Sequence, residues 1–235
     1  MINLMMLKKD HQKIRRVDDG PLDPSDPTQS GVSTSEGWEA ALADETISKI
    51  VLTSNVLDAP ATQIDRPIII EGDGNTLSAS VEGKILTLTK DSTIQNINIH
   101  NDADNVDWHS AYNLHFYTGK HTVKDIKLSG GNSGMLVNGA EVTLEGSIDI
   151  SGNTFGGIEV SKGSGAALSA SVLNIGDAIL INDSEAYGKP TIWVDGLSDD
   201  IGIVNGTESL TMVEINGQKQ YYINPSNAVE PEQSK

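Results

Sequence analysis

Short segments in which two apolar residues flank one variable position recur along the middle of the chain, with Gly and Asn between them. The clearest are Ile97-Asn98-Ile99, Leu114-His115-Phe116, Ile126-Lys127-Leu128, Met135-Leu136-Val137, Val142-Thr143-Leu144, Ile148-Asp149-Ile150, Ile158-Glu159-Val160, Leu173-Asn174-Ile175 and Ile192-Trp193-Val194. Side chains alternate across a strand, so each segment sends two residues inward and one outward. The middle residues of the first, third, sixth and eighth segments are 98, 127, 149 and 174, which lie 29, 22 and 25 positions apart. That spacing predicts an all-β parallel β-helix, a solenoid in which each turn lays its short strands on their equivalents in the turn before.

The flanks predict closures for such a stack. Residues 35–43, Ser-Glu-Gly-Trp-Glu-Ala-Ala-Leu-Ala, combine an N-cap candidate, an early acid and an apolar stripe of Trp38, Ala41 and Leu42. They predict a short N-terminal capping helix over an end that would otherwise expose core side chains and strand edges. Ile50-Val51-Leu52 and Pro67-Ile68-Ile69-Ile70 predict the first strands, with residues 71–75 turning the chain toward Leu77. Near the other end, alternating residues 210–215 and 218–223 flank Asn216-Gly217, a C-terminal β-hairpin signal. This hairpin either closes the stack or pairs with a neighbouring subunit, so a homo-oligomer is one expectation.

Composition separates residues 1–35 from the rest. Residues 1–7 are mostly apolar and are followed by Lys8, Lys9, Lys13, Arg15 and Arg16, the reverse of the charge order in a secretion signal. Pro21, Pro24 and Pro27, set among Asp, Ser and Thr, favour extended backbone that buries little. Residues 1–17 therefore read as a docking peptide on a tether; the other reading is a tail, or a strand pairing with the open end of the stack. Three parts are expected: 1–35 anchor and tether, 36–206 β-helix with its helix, and 207–235 hairpin and acidic tail.

Sixteen Lys and Arg against 33 Asp and Glu give the 235 residues a net charge of −17, which opposes binding to phosphate backbones. No nucleic-acid partner is expected. Without cysteine, neither disulfides nor thiolate chemistry operates. No stretch approaches the length of a membrane span, so no membrane partner is expected. An exposed-type protein without an export signal points to a setting such as a virus particle.

Three stretches carry a resemblance. Residues 38–74 run from the helix through Ile50-Val51-Leu52 to Arg66-Pro67-Ile68-Ile69-Ile70-Glu71-Gly72-Asp73-Gly74; residues 148–160 contain Gly152-Asn153-Thr154-Phe155-Gly156-Gly157-Ile158-Glu159-Val160; and Lys189-Pro190-Thr191-Ile192-Trp193-Val194-Asp195 follows late. Together they resemble the pectate-lyase-like adhesive domains of Gram-positive surface proteins and of some phage structural proteins. The resemblance implies a right-handed β-helix that binds or builds; the fold itself implies no activity.

The chemistry agrees with that expectation. A uronic-acid lyase needs a strong base and cations, yet only Arg15, Arg16 and Arg66 are present, and Arg66 reads as a surface residue at a strand start. Asp149 and Glu159 are outward and could share a face, but isolated outward acids on so negative a chain are usually solvated. His100, His109, His115 and His121 lie near Asp102, Asp104 and Asp107 without metal-ligand spacing. No catalytic residue, metal or cofactor is expected. Trp108, Tyr112, Phe116 and Tyr117 concentrate four of the chain's aromatic residues, and sugar faces stack on rings while hydroxyls find polar partners. Trp108, Tyr112, His115 and Tyr117 are the candidate glycan contacts; in the alternative reading Trp108 and Tyr112 fold a loop onto the rod and Phe116 fills the core.

The function expected is a non-enzymatic phage virion protein, a capsid decoration, head fibre or tail-associated component. It would dock on a capsid or tail protein through Lys8, Lys9, Lys13, Arg15 and Arg16 and present its β-helix to a host-surface glycan. A bacterial cell-surface adhesin and a polysaccharide lyase or hydrolase are the alternatives.

Overall fold

The computed structural model describes residues 21–104, 110–163, 170–183, 185–186 and 188–224. The docking residues Lys8, Lys9, Lys13, Arg15 and Arg16, and Trp108 and His109, lie outside the described residues. The described chain is nearly all β, with parallel sheets. Its first elements are β1 (Gln29–Val32), helix α1 (Ser35–Ala43), β2 (Lys49–Leu52), β3 (Thr62–Ile64), β4 (Ile68–Glu71), β5 (Thr76–Ala79) and β6 (Leu86–Leu88). The middle is β7 (Ser92–Asn101), β8 (Tyr112–Phe116), β9 (Lys120–Ser129), β10 (Ser133–Asn138), β11 (Glu141–Asp149) and β12 (Gly156–Ser161). The last are β13 (Ser171–Asn174), β14 (Ile179–Ile181), β15 (Ile192–Val194), β16 (Gly202–Asn205), β17 (Thr211–Ile215) and β18 (Gln218–Tyr222).

From β6 to β13 the chain alternates between two sheets. One runs β1-β2-β4-β7-β9-β11-β13-β16, with β5 beside β7 and β14 beside β11; the other runs β3-β6-β8-β10-β12-β15-β18-β17. All pairings are parallel until β15 meets the hairpin strand β18 antiparallel. The apolar residues of each segment consequently line up strand over strand. In the second sheet Leu86, Leu114, Met135, Ile158 and Ile192 form one inward column, and Leu88, Phe116, Val137, Val160 and Val194 the next. In the first, Ile50, Ile70, Ile94, Val123 and Leu144 are in register. Every member of these columns is at most 2 % exposed, and both sheets feed one apolar core.

One register differs from the sequence expectation. Asn98 pairs with Lys127 and Lys127 with Asp149, but Asn174 pairs with Thr143, and it is Ile181 that pairs with Asp149. The cause is a kink. Asn96, Asp125 and Gly146 occupy matching places along the first sheet with φ of 50, 49 and 65°, the left-handed region that Asn, Asp and Gly enter most readily, and Asp73, with φ of 50°, turns the chain between β4 and β5. Each long strand is thus two segments joined at a bend, and after β11 the two segments separate into β13 and β14.

The helix is capped by Thr34, whose hydroxyl accepts from Gly37 N–H at 3.1 Å, one residue before the Ser35 that begins it. Trp38 and Ala41 are buried beneath it, with Leu42 packed alongside. Arg66 is not the surface residue its sequence context suggests. Its guanidinium donates to the carbonyls of Leu42 at 2.9 Å and of Ala41, Ile47 and Asp44 at 3.2 Å, so it caps the C-terminal end of α1. Residues 29–32, within the segment that composition assigns to a tether, form β1 on the edge of the first sheet. The Asn216-Gly217 turn has φ of 52 and 79°, as a tight hairpin requires.

Two glycines separate crowding from freedom. A Cβ on Gly157 would stand 2.2 Å from the Thr191 carbonyl oxygen, whereas one on Gly37 meets nothing closer than 3.4 Å. In urea denaturation Gly157→Ala is expected to lose about 2–3 kcal/mol, because two backbones must part. Gly37→Ala in the helix is expected to gain about 0.5–1 kcal/mol.

Candidate functional site

The residue between the two inward columns of the second sheet faces away from the core. Thr87, His115, Leu136, Glu159, Trp193 and Gln220 are in register on this face. Alternation predicts solvent there, yet His115, Leu136, Trp193 and Gln220 are 9, 7, 7 and 4 % exposed. Loop residues at the strand ends flank the column and turn its C-terminal half into a cleft. Tyr112, Asn132, Phe155, Glu159, Trp193, Asp195 and Gln218 line this space of about 310 Å³.

Each side chain has a local reason for its place. Phe155 is held where its own N–H donates to the Asn132 carbonyl at 2.8 Å, and it meets Trp193 edge to face with centroids 4.7 Å apart. The following Gly156 and Gly157 have no side chains, so the backbone of residues 190–191 passes closely and brings β15 beside β12. Tyr112 opens β8 and its hydroxyl donates to Glu159 Oε2. Asp195 follows β15, and its Oδ1 accepts from Gln218 Nε2 of the hairpin at 3.0 Å.

Burial pushes the Glu159 carboxyl above its ordinary pKa, and the nearby Asp195 charge adds to this; the Tyr112 and Ser161 hydroxyls and the Lys84 ammonium act against it. A protonated Glu159 donates a hydrogen bond and an ionised one accepts. Asp195 is exposed. Two carboxylates, two amides and aromatic rings in one concavity suit a polyhydroxylated ligand, whose hydroxyls need both donors and acceptors while its C–H faces pack on rings.

Of the residues that sequence singled out, Tyr112 is in the cleft. His115 lies farther along the same column, and Tyr117 packs against it with ring centroids 5.7 Å apart. His115 Nδ1 is 3.4 Å from the Thr87 hydroxyl, and its Nε2 is enclosed without a hydrogen-bond partner. Burial, reinforced by Lys84, pulls its pKa down to about 4. His121 belongs to the core instead. Its Nε2–H donates to the Thr118 carbonyl at 2.6 Å, its Nδ1 is 2.7 Å from the Ser92 hydroxyl, its ring lies 4.5 Å from Phe116, and burial lowers its pKa. Asp149 and Glu159 do not share a face: Asp149 is in the first sheet, paired with Lys127 at 3.2 Å, and Glu159 is in the second. Among the described residues no group of three or more His, Cys, Asp or Glu could hold a metal ion. No helix among them is long and apolar enough to cross a membrane.

Sequence reasoning missed Phe155, Trp193, Asp195 and Gln218. The aromatic residues among them are isolated along the chain, and only the register of β12, β15 and β18 brings them together. A larger hollow of about 470 Å³ near Leu22 and Val51 has less to offer. Its Glu71 is already committed to Asp73 N–H at 2.8 Å, Gln95 Nε2 at 2.7 Å and Asn96 Nδ2 at 3.2 Å. No family model, curated protein or solved structure matches this chain.

His115 and Glu159 tilt stability with pH in opposite directions. His115 is neutral when folded and titrates near pH 6.5 when unfolded, so acidification from about pH 6.5 toward 4 costs up to about 3 kcal/mol. Glu159 has a raised folded pKa, and its contribution is lost as pH rises through that value. Urea midpoints measured across this range are expected to show a shallower acid-side decline in His115→Leu. Glu159→Gln is expected to lose less stability than the parent as pH rises above the ordinary glutamate range.

Proposed function

We propose that this chain is a right-handed parallel β-helix that serves as a non-enzymatic phage virion protein, docked by residues 1–17 and binding a host-surface saccharide in the Glu159 cleft. The parallel in-register pairing of successive returns, strand after strand, supports the β-helix reading. The observation that carries the saccharide reading is the cleft, where the Phe155–Trp193 ring pair borders two carboxylates and two amides. Five of the chain's sixteen positive charges lie at Lys8, Lys9, Lys13, Arg15 and Arg16, next to a proline-rich tether, which supports docking at one end of an otherwise acidic protein. A bacterial cell-surface adhesin would use the same cleft.

In titration calorimetry against a panel of cell-wall and capsular oligosaccharides, Asp195→Asn and Phe155→Ala are each expected to weaken binding about tenfold, the scale of one lost polar or stacking contact. Far-ultraviolet circular dichroism should be unchanged. Binding that is indifferent to both changes removes the cleft from the function. Deletion of residues 1–17 is expected to abolish occupancy on assembled phage particles imaged by electron microscopy while leaving saccharide affinity intact. If the full chain also fails to join particles but binds saccharide, the adhesin setting replaces the virion.

A further inference from the structure

The charge of the cleft narrows the saccharide. Glu159 and Asp195 both face it, and neither lysine nor arginine is among its lining residues. The groups around Glu159 are Tyr112 from β8, Ser161 on its own strand, Trp193 and Asp195 from the β15 side, and Gln218 and Gln220 from the hairpin. His115, along the column on β8, is neutral above about pH 4. Lys84 acts on Glu159 without lining the space. Lys219, the nearest cation of the hairpin, is turned to Asp199 at 3.0 Å. Lys189, just ahead of β15, donates to the Thr154 carbonyl at 3.1 Å, so the cleft is lined by two carboxylates with Lys84 and Lys189 outside its lining.

A neutral sugar compensates those carboxylates through hydroxyl hydrogen bonds alone, and a uronic acid would add repulsion. A cation gains from both carboxylates and from the neighbouring rings, which attract cations at their faces. We propose that the saccharide carries a free ammonium, as an amino sugar does, seated against Glu159 and Asp195 beside the Phe155–Trp193 pair. This rests on the saccharide-binding reading of the same cleft.

Binding then moves a proton. Burial and Asp195 favour the protonated Glu159, and an arriving ammonium favours the ionised form, so the proton leaves to solvent as the ligand seats. Affinity rises with pH through the titration of Glu159 and falls again where the amine loses its own proton, at about pH 8 for a typical amine of this class.

The test is calorimetry on the full chain with a glucosamine tetramer, its N-acetylated counterpart, a galacturonic acid tetramer and tetralysine. Each titration is run in two buffers of different ionisation heat, so that released protons are counted. The expected result is a preference of about tenfold or more for the glucosamine tetramer, the scale of one desolvated charge contact. Proton release should accompany it and disappear in Glu159→Gln. Asp195→Asn, at an exposed position, is expected to weaken the preference while retaining proton release. Equal or tighter binding of the N-acetylated or uronic tetramer overturns the ammonium assignment and leaves saccharide binding standing. Failure of all three sugars overturns both readings. Tetralysine binding as tightly as the glucosamine tetramer overturns the sugar assignment in favour of a basic peptide.

Discussion

Parallel, in-register pairing of short strands is the constraint on which everything else in this protein depends. A segment such as Ile158-Glu159-Val160 buries little by itself. Its two inward residues become core because Met135 and Val137 lie on one side of them and Ile192 and Val194 on the other. Each strand also satisfies its backbone donors and acceptors only through its neighbours. Burial and hydrogen bonding are thus achieved together, and a shift of one residue would turn every inward side chain outward.

The bends and ends of the stack show what that constraint demands. Asn75 and Asn153 each donate to two carbonyls, those of Leu52 and Gly72 and those of Leu128 and Ile150, bonding successive returns where the strands stop. At the N-terminal end α1 lies over the core with Arg66 bonded to its last carbonyls. At the other end the hairpin extends the second sheet, anchored by Glu185, which accepts from the Thr191 hydroxyl and from the N–H groups of Ile223 and Asn224. Among the described residues the first sheet ends at β16, with β14 beside β11, and no further strand covers either; Ile203 of β16 and Ile179 and Ile181 of β14 are 37, 66 and 45 % exposed.

The cleft follows from the same geometry. The outward column faces away from the core, and side chains from the flanking loops determine what its residues meet. Glu159 is raised above its ordinary pKa by burial and by the Asp195 charge beside it, while the hydroxyl of Tyr112, 47 residues earlier, acts against that rise. Neither neighbour is adjacent in the sequence, yet both are brought within one or two strand spacings.

Much of this was legible in the chain itself. Apolar alternation located β2, β4, β7 to β13 and β15 but not β1, β3, β6, β14 or β16, while residues 35–43 announced the helix and Asn216-Gly217 the hairpin, because each is governed by neighbours a few positions away. Tyr112 was singled out by its aromatic neighbourhood. Which strand lies on which was not legible: the bend at Asp125 and Gly146 lets β13 and β14 separate, so that Asn174 meets Thr143 and not Asp149. Nor were the burial of His115, the capping role of Arg66, or the meeting of Phe155, Trp193, Asp195 and Gln218. Sequence determined the alternation within each segment, which is a local property of the chain. Tertiary structure decided the partners, because the length of each return and the left-handed bends within it set the register, and the register alone places distant residues on a common face.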